Sequence, residues 1–246
     1  MPTLRTAAQI LILATFTLTA QAQSYLVSNN GKTVGSATVN LAPSASGYSL
    51  TSGVKIEMKD LTYSFTQTAA LNSALALTSS QLSGLINGTA VSVRTTRAGQ
   101  QFNMTINANG QVTNQPLAAH PGAILLPDFD PGALTLALRI SAPDGLFALI
   151  PKQTGMESAL AKTTNPDQQG TLNGRPVPVH HFTLNSDAGK IEVFASASGE
   201  LLQAEWPDQA FALVRQGFVL TPPAHAPAPP PAPTDLKGGV AVPNPQ

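Results

Sequence analysis

Residues able to do chemistry are few in this chain. Histidine occurs at positions 120, 180, 181 and 225, and with His225 in a proline-rich C-terminal stretch, three imidazoles are left as candidate general bases. His180 and His181 are adjacent, a spacing that invites a metal reading. On a strand, successive side chains point to opposite faces, so this pair cannot chelate one ion. His180 shares its face with Phe182 and Leu184, and His181 with Val177 and Val179. Both read as hydrogen-bonded sheet-face histidines, and with no carboxylate or third histidine at ligand spacing no metal is assigned.

Ser52-Gly53-Val54-Lys55 satisfies the S-x-x-K spacing of penicillin-recognising enzymes. Those enzymes need one helical turn to bring serine and lysine onto one face, whereas Val54, Ile56 and Met58 alternate as in a strand. No G-x-S-x-G elbow is present, so the hydrolase signal is absent too. Asp128 and Asp130, in Pro127-Asp128-Phe129-Asp130-Pro131, offer two oxygens where calcium takes six or more. Asp130 reads as a helix cap and Asp128 as a group that orders the loop. Glycosidic chemistry at Asp128, Asp130, Glu192 or Glu205 would want aromatic platforms, and aromatic content is 5%. Trp206, beside Pro207 at a hairpin turn, reads as an edge residue covering the core. No catalytic residue and no cofactor is assigned.

Composition narrows the partners. The 246 residues carry a formal net charge of zero and only 11% charged residues, against about 25% in an ordinary soluble protein. Little basic surface is left to neutralise phosphates, so nucleic acid is excluded as a partner. Cysteine is absent, which removes disulfides, thiolate metal sites and cysteine nucleophiles. A hydrophobic fraction of 42% and a mean hydropathy of +0.05 are those of a folded chain.

Both ends read as separate from the fold. Arg5, the apolar stretch Ile10 to Leu18 and Ala20-Gln21-Ala22 have the order of a signal peptide cleaved between Ala22 and Gln23. The stretch is too short to span a bilayer, so the expected product is exported, periplasmic or secreted, bacterial, and without a transmembrane segment. Residues 221–246 hold nine of the 21 prolines. They read as a disordered polyproline II tail, unconstrained, extended and solvated; the functional alternative is a spacer or a ligand for a proline-recognising envelope partner. The expected organisation is 1–22 signal peptide, 23–220 β-rich domain, and 221–246 tail.

Four Asn-Gly pairs punctuate the middle, at Asn30-Gly31, Asn87-Gly88, Asn109-Gly110 and Asn173-Gly174. This is the pair that tolerates positive φ at both central residues of a type I′ hairpin turn. Apolar residues between them alternate, as in Tyr63 and Phe65, Val91 and Val93, or Phe102, Met104 and Ile106. Period two on Thr- and Val-rich segments predicts about ten short, half-buried antiparallel strands. Asp130, Pro131 and the apolar run to Ile140, stopped by Pro143, predict one short helix over Pro131 to Ser141. Apolar nearly all round, that helix must be buried on the concave face of the sheet. The fold class is mainly β: a curved antiparallel sheet, half-barrel or open barrel, with one short buried helix. A transmembrane barrel shares the alternation but wants longer strands and aromatic girdles.

This order of hairpins, inserted helix and further strands resembles the half-barrel of the LolA/LolB-like bacterial lipoprotein carriers, over about Ser24 to Phe218. Such proteins hold acyl chains between a curved sheet and a helix. The resemblance implies a hydrophobic pocket lined by Phe102, Met104, Phe129, Leu134 and Leu138. The expected function is a non-enzymatic, carrier-type binding domain for a lipid or other apolar or amphipathic ligand. The alternative is a structural or interaction domain of the cell envelope with no small-molecule site.

Overall fold

The structure, a computed structural model, describes residues 22–151 and 155–221. The expected signal peptide and proline-rich tail fall outside them, except for Ala22 and Thr221 at their borders. The first half is a run of hairpins: Gln23–Asn29 (β1), Lys32–Ser44 (β2), Gly47–Glu57 (β3), Thr62–Leu71 (β4), Leu77–Ile86 (β5), Thr89–Ala98 (β6), Gln101–Ala108 (β7) and Gln111–Ala118 (β8). Ala123–Leu125 (β9), the helix Pro131–Arg139 (α1) and Leu146–Ile150 (β10) follow. A second run closes the chain: Met156–Leu172 (β11), Arg175–Ser186 (β12), Gly189–Ser196 (β13), Leu201–Trp206 (β14), Phe211–Arg215 (β15) and Phe218–Leu220 (β16). The sheet thus has sixteen strands, not about ten. Many are also longer than expected, up to the 17 residues of β11, because polar Ser, Thr, Asn and Gln continue the ladder where no apolar residue marks it.

All four Asn-Gly pairs sit in hairpin turns with positive φ at both residues, as at Asn87 (48°) and Gly88 (79°). Each costs the asparagine little and fixes the register of its hairpin. In β4, buried Tyr63, Phe65, Gln67, Ala69 and Leu71 alternate with more exposed neighbours, the period of a sheet with one dry face.

The order along the sheet is β8-β7-β6-β5-β4-β3-β2-β1-β15-β14-β13-β12-β11-β10-β9, with β16 on β11. It does not close on itself, so the barrel is open. Register shifts at Val27/Ser28, Ala70/Leu71, Asn165/Gln168 and Phe194/Ala195 bend individual strands. At the seam a side chain replaces the missing ladder. Glu157 on β11 accepts the Ala118 N–H at the end of β8 (2.9 Å) and meets His120 Nε2 (2.6 Å), whose ring stacks on Phe147.

Helix α1 lies in the concavity, against β2, β3, β9 and β14. Asp130 caps it, accepting from the N–H groups of Gly132 (3.1 Å) and Ala133 (3.0 Å), and Pro131 follows where its missing N–H costs nothing. Gly132 allows the approach, since a Cβ there would lie 2.7 Å from Ser52 Oγ on β3. The chain leaves the helix at Ile140, earlier than the expected Ser141, and is already extended ahead of Pro143. Residues Pro131 to Ala137 are all buried, and α1 joins the inner faces of the strands in the main apolar cluster. On the opposite face of β12, β13 and β14, Val179, Phe194 and Leu202 form a second core with Phe218 of β16.

Candidate functional site

The five expected pocket residues belong to one apolar cluster. Phe102, Met104 and Leu134 are fully buried, Phe129 nearly so, and Leu138 is partly buried. Two clefts open instead at the end of the half-barrel where the chain enters α1, and they share the loop residues Leu126, Pro127 and Asp128 together with Ile150. The first, about 80 Å³, has Ile191 and Trp206 at its apolar side and Lys190 and Asp208 at its rim. The second, about 70 Å³, runs over Tyr63, Leu82, Ile86, Val91 and Val93 on the concave face of β4, β5 and β6. Of the five expected residues, Phe129 is the one on the loop that both clefts share.

That loop is built under strain. Phe129 has φ +60°, a left-handed conformation that costs a bulky side chain about 1–2 kcal/mol. Packing holds it there: its ring centroid lies 4.3 Å from that of Phe211, 5.1 Å from Trp206 and 6.2 Å from Tyr63. Tyr63 packs edge-on against Phe65 and donates its hydroxyl to the Asp128 carbonyl (3.3 Å). Burial raises the Tyr63 pKa far above the ordinary phenol value. Asp130 has no exposed surface. Burial pushes its carboxyl up to about 6, although the two capped N–H groups favour the ionised form.

A second polar cluster lies on the flank, on the face of β12 and β13 turned away from α1. His181 Nε2 meets Glu192 (2.9 Å), Thr183 donates to Glu192 (2.8 Å), Asn165 donates to Thr183 (2.7 Å), and Lys190 pairs with Glu192. The His181 ring stacks on Phe194, 4.5 Å between centroids. Burial works against the Glu192 carboxylate, but hydrogen bonds from Lys190, Thr183 and His181 outweigh it and hold the pKa below its usual value. The Thr183 hydroxyl is spent on the carboxylate and not on the imidazole, so no nucleophile–base pair is formed. His180 points to the other face and meets Asp167 (3.0 Å), as the strand reading required. The carboxylates that partner these histidines come from neighbouring strands, which spacing along one strand could not reveal. Among the described residues no group of three or more His, Asp or Glu is arranged to hold a metal.

Ser52 and Lys55 lie on opposite faces of β3. The serine is buried under α1, and the lysine is exposed and paired with Glu57 (2.8 Å). Trp206 was expected at an edge but ends an interior strand of the sheet, 7% exposed, as part of the mouth cluster. Sequence reasoning missed Tyr63, Phe211 and Ile150. Their local pattern is that of any strand, and the one available signal was the scarcity of aromatics, which makes five at one end of the sheet notable.

Compared with protein-family models, curated proteins and solved structures, the chain finds no match. Among the described residues no helix is long and apolar enough to cross a membrane.

Proposed function

We propose that this chain is a carrier-type binding domain for an apolar or amphipathic ligand, received at the mouth of the half-barrel. The observation that carries the reading is the pair of clefts sharing one strained loop. A left-handed phenylalanine is retained where the surrounding structure gains from it, and strain of this kind gathers at ligand-gripping segments. Apolar walls with a few polar groups at the rim match the usual make-up of a small-molecule site. The reading agrees with the resemblance to the LolA/LolB-like carriers and needs no catalytic group. With residues 1–22 read as a signal peptide, the domain works outside the cytoplasm, in the periplasm or beyond.

Native mass spectrometry of the exported protein, before and after organic extraction, tests it. A co-purifying apolar mass lost on extraction is the expected result. A clean protein mass that stays unchanged after incubation with lipids overturns it.

A second reading, an envelope interaction domain, is favoured by the small volumes of the clefts, about 80 and 70 Å³. It places the contact in residues 221–246. Deleting that segment then abolishes partner capture, whereas a carrier keeps its ligand.

A further inference from the structure

Inside the half-barrel, Gln67, Ser80 and Thr95 occupy inward positions on adjacent strands where their neighbours are apolar. Gln67 is in phase with Tyr63, Phe65 and Ala69 on β4, Ser80 with Leu82 on β5, and Thr95 with Val91 and Val93 on β6. In the register Ser80 stands opposite both Ala69 and Thr95, and Gln67 opposite Leu82, so the three form one stripe across the face. They are 1%, 4% and 0% exposed, and Gln67 Oε1, Ser80 Oγ and Thr95 Oγ1 have no hydrogen-bond partner. A buried polar atom left without a partner costs about 1–3 kcal/mol, whereas an apolar side chain of the same shape costs nothing comparable. Ser80 and Thr95 directly opposite each other, with Gln67 diagonal to Ser80, are a local accumulation of such atoms that a polar guest would relieve.

The stripe and the second cleft belong to the same face of the same strands. Leu82 and Val93 line the cleft, and Ser80 and Thr95 lie two residues further along, about 7 Å deeper. One guest can thus lie with its chain in the cleft and its polar end on the stripe. Hydroxyl and amide groups make up the stripe, with no ionised side chain in it. Arg97, in phase beyond Thr95, donates to the Gly99 carbonyl. Asp130, beside Ser52 on the next strand, opposes an anion.

We propose that Gln67, Ser80 and Thr95 form an internal site for the neutral polar end of an amphipathic guest, a hydroxyl, ester or amide whose apolar chain lies in the cleft. The proposal rests on the carrier reading and gives that same site a ligand class. A chain longer than the present 70 Å³ admits requires the cleft to widen on binding.

The test offers 1-decanol, decane and, at pH 8, decanoate to the full exported chain, with bound masses quantified by native mass spectrometry. The expected result is decanol bound about tenfold or more tightly than either other probe, as one or two added hydrogen bonds give. Ser80→Ala/Thr95→Val is expected to lose that preference while decane binding is unchanged. Gln67→Met, on a separate strand, is expected to reduce it independently should the double variant fail a thermal-unfolding check. Equal binding of decanol and decane, strongest binding of decanoate, or a preference that survives in the folded variants overturns the proposal and leaves the carrier reading standing. Binding of none of the three probes overturns both.

Discussion

Asp130 at the mouth and Glu192 on the flank are both carboxylates drawn out of water, yet burial wins at the first and hydrogen bonding at the second. Glu192 receives a lysine, a histidine and a threonine, and its neighbours are satisfied in turn by Asn165 and Gln168. Asp130 receives only the two backbone N–H groups that it caps, and it has no exposed surface. The mouth adds a left-handed phenylalanine, and the concave face beneath it carries the unpartnered stripe. At the flank every group of the polar cluster has a partner. The mouth instead keeps local costs, and these support the proposal of binding there.

The contrast can be broken most severely at Phe129. Phe129→Ala removes the centre of the aromatic cluster while keeping a left-handed residue, and is expected to cost about 3–5 kcal/mol in denaturant unfolding and to abolish ligand retention. An unchanged midpoint would show that the cluster does not hold the loop.

The two carboxylates differ next in the sign of their pH response. The Asp130 pKa is raised in the folded chain, so its contribution is complete below the ordinary 3.8 and is lost as pH rises through about 6. The loss is about 3 kcal/mol over that window. Asp130→Asn keeps a capping oxygen and is expected to flatten this part of the stability profile, measured by urea unfolding between pH 4 and 7. Glu192 behaves oppositely. Its stabilisation is present above the ordinary 4.5 and is lost as pH falls through the lower folded value.

Removing Glu192 sharpens the comparison at a smaller scale. Glu192→Ala leaves His181 and Thr183 without their acceptor and is expected to cost about 1–3 kcal/mol with ligand binding unaltered. A loss of binding that exceeds the loss of stability would move function to the flank. The smallest effect carries the opposite sign. Thr95→Val replaces an unsatisfied hydroxyl with a methyl and is expected to leave the ligand-free melting temperature unchanged or raise it, by up to about 1 kcal/mol of stability.

Hairpin grammar made much of this fold legible in advance. The Asn-Gly pairs, the alternation through Tyr63 and Phe65, and the Asp130-Pro131 start of α1 are local signals, and each corresponds to an element. Strand number was not legible, because stretches such as Gln111 to Ala118 expose Val112, bury Leu117 and carry polar residues between them, so they present no apolar period. The candidate site depends on residues 63, 129, 206 and 211 meeting, a product of strand order that no window along the chain contains. The stripe was legible in principle. Gln67 and Thr95 fall in phase with inward residues, and a polar residue in the apolar phase of a strand is an anomaly of period two.

β1 is the one strand joining the two hairpin runs, through β2 on one side and β15 on the other. Tyr25 in β1 donates its hydroxyl to the Leu201 carbonyl, 176 residues away in sequence. As the chain is synthesised, the first strand to be made has only half of its partners until nearly the last has emerged. The N-terminal run has its own hairpin pairings, but the sheet becomes continuous only through pairings of high sequence separation, the kind that slows folding.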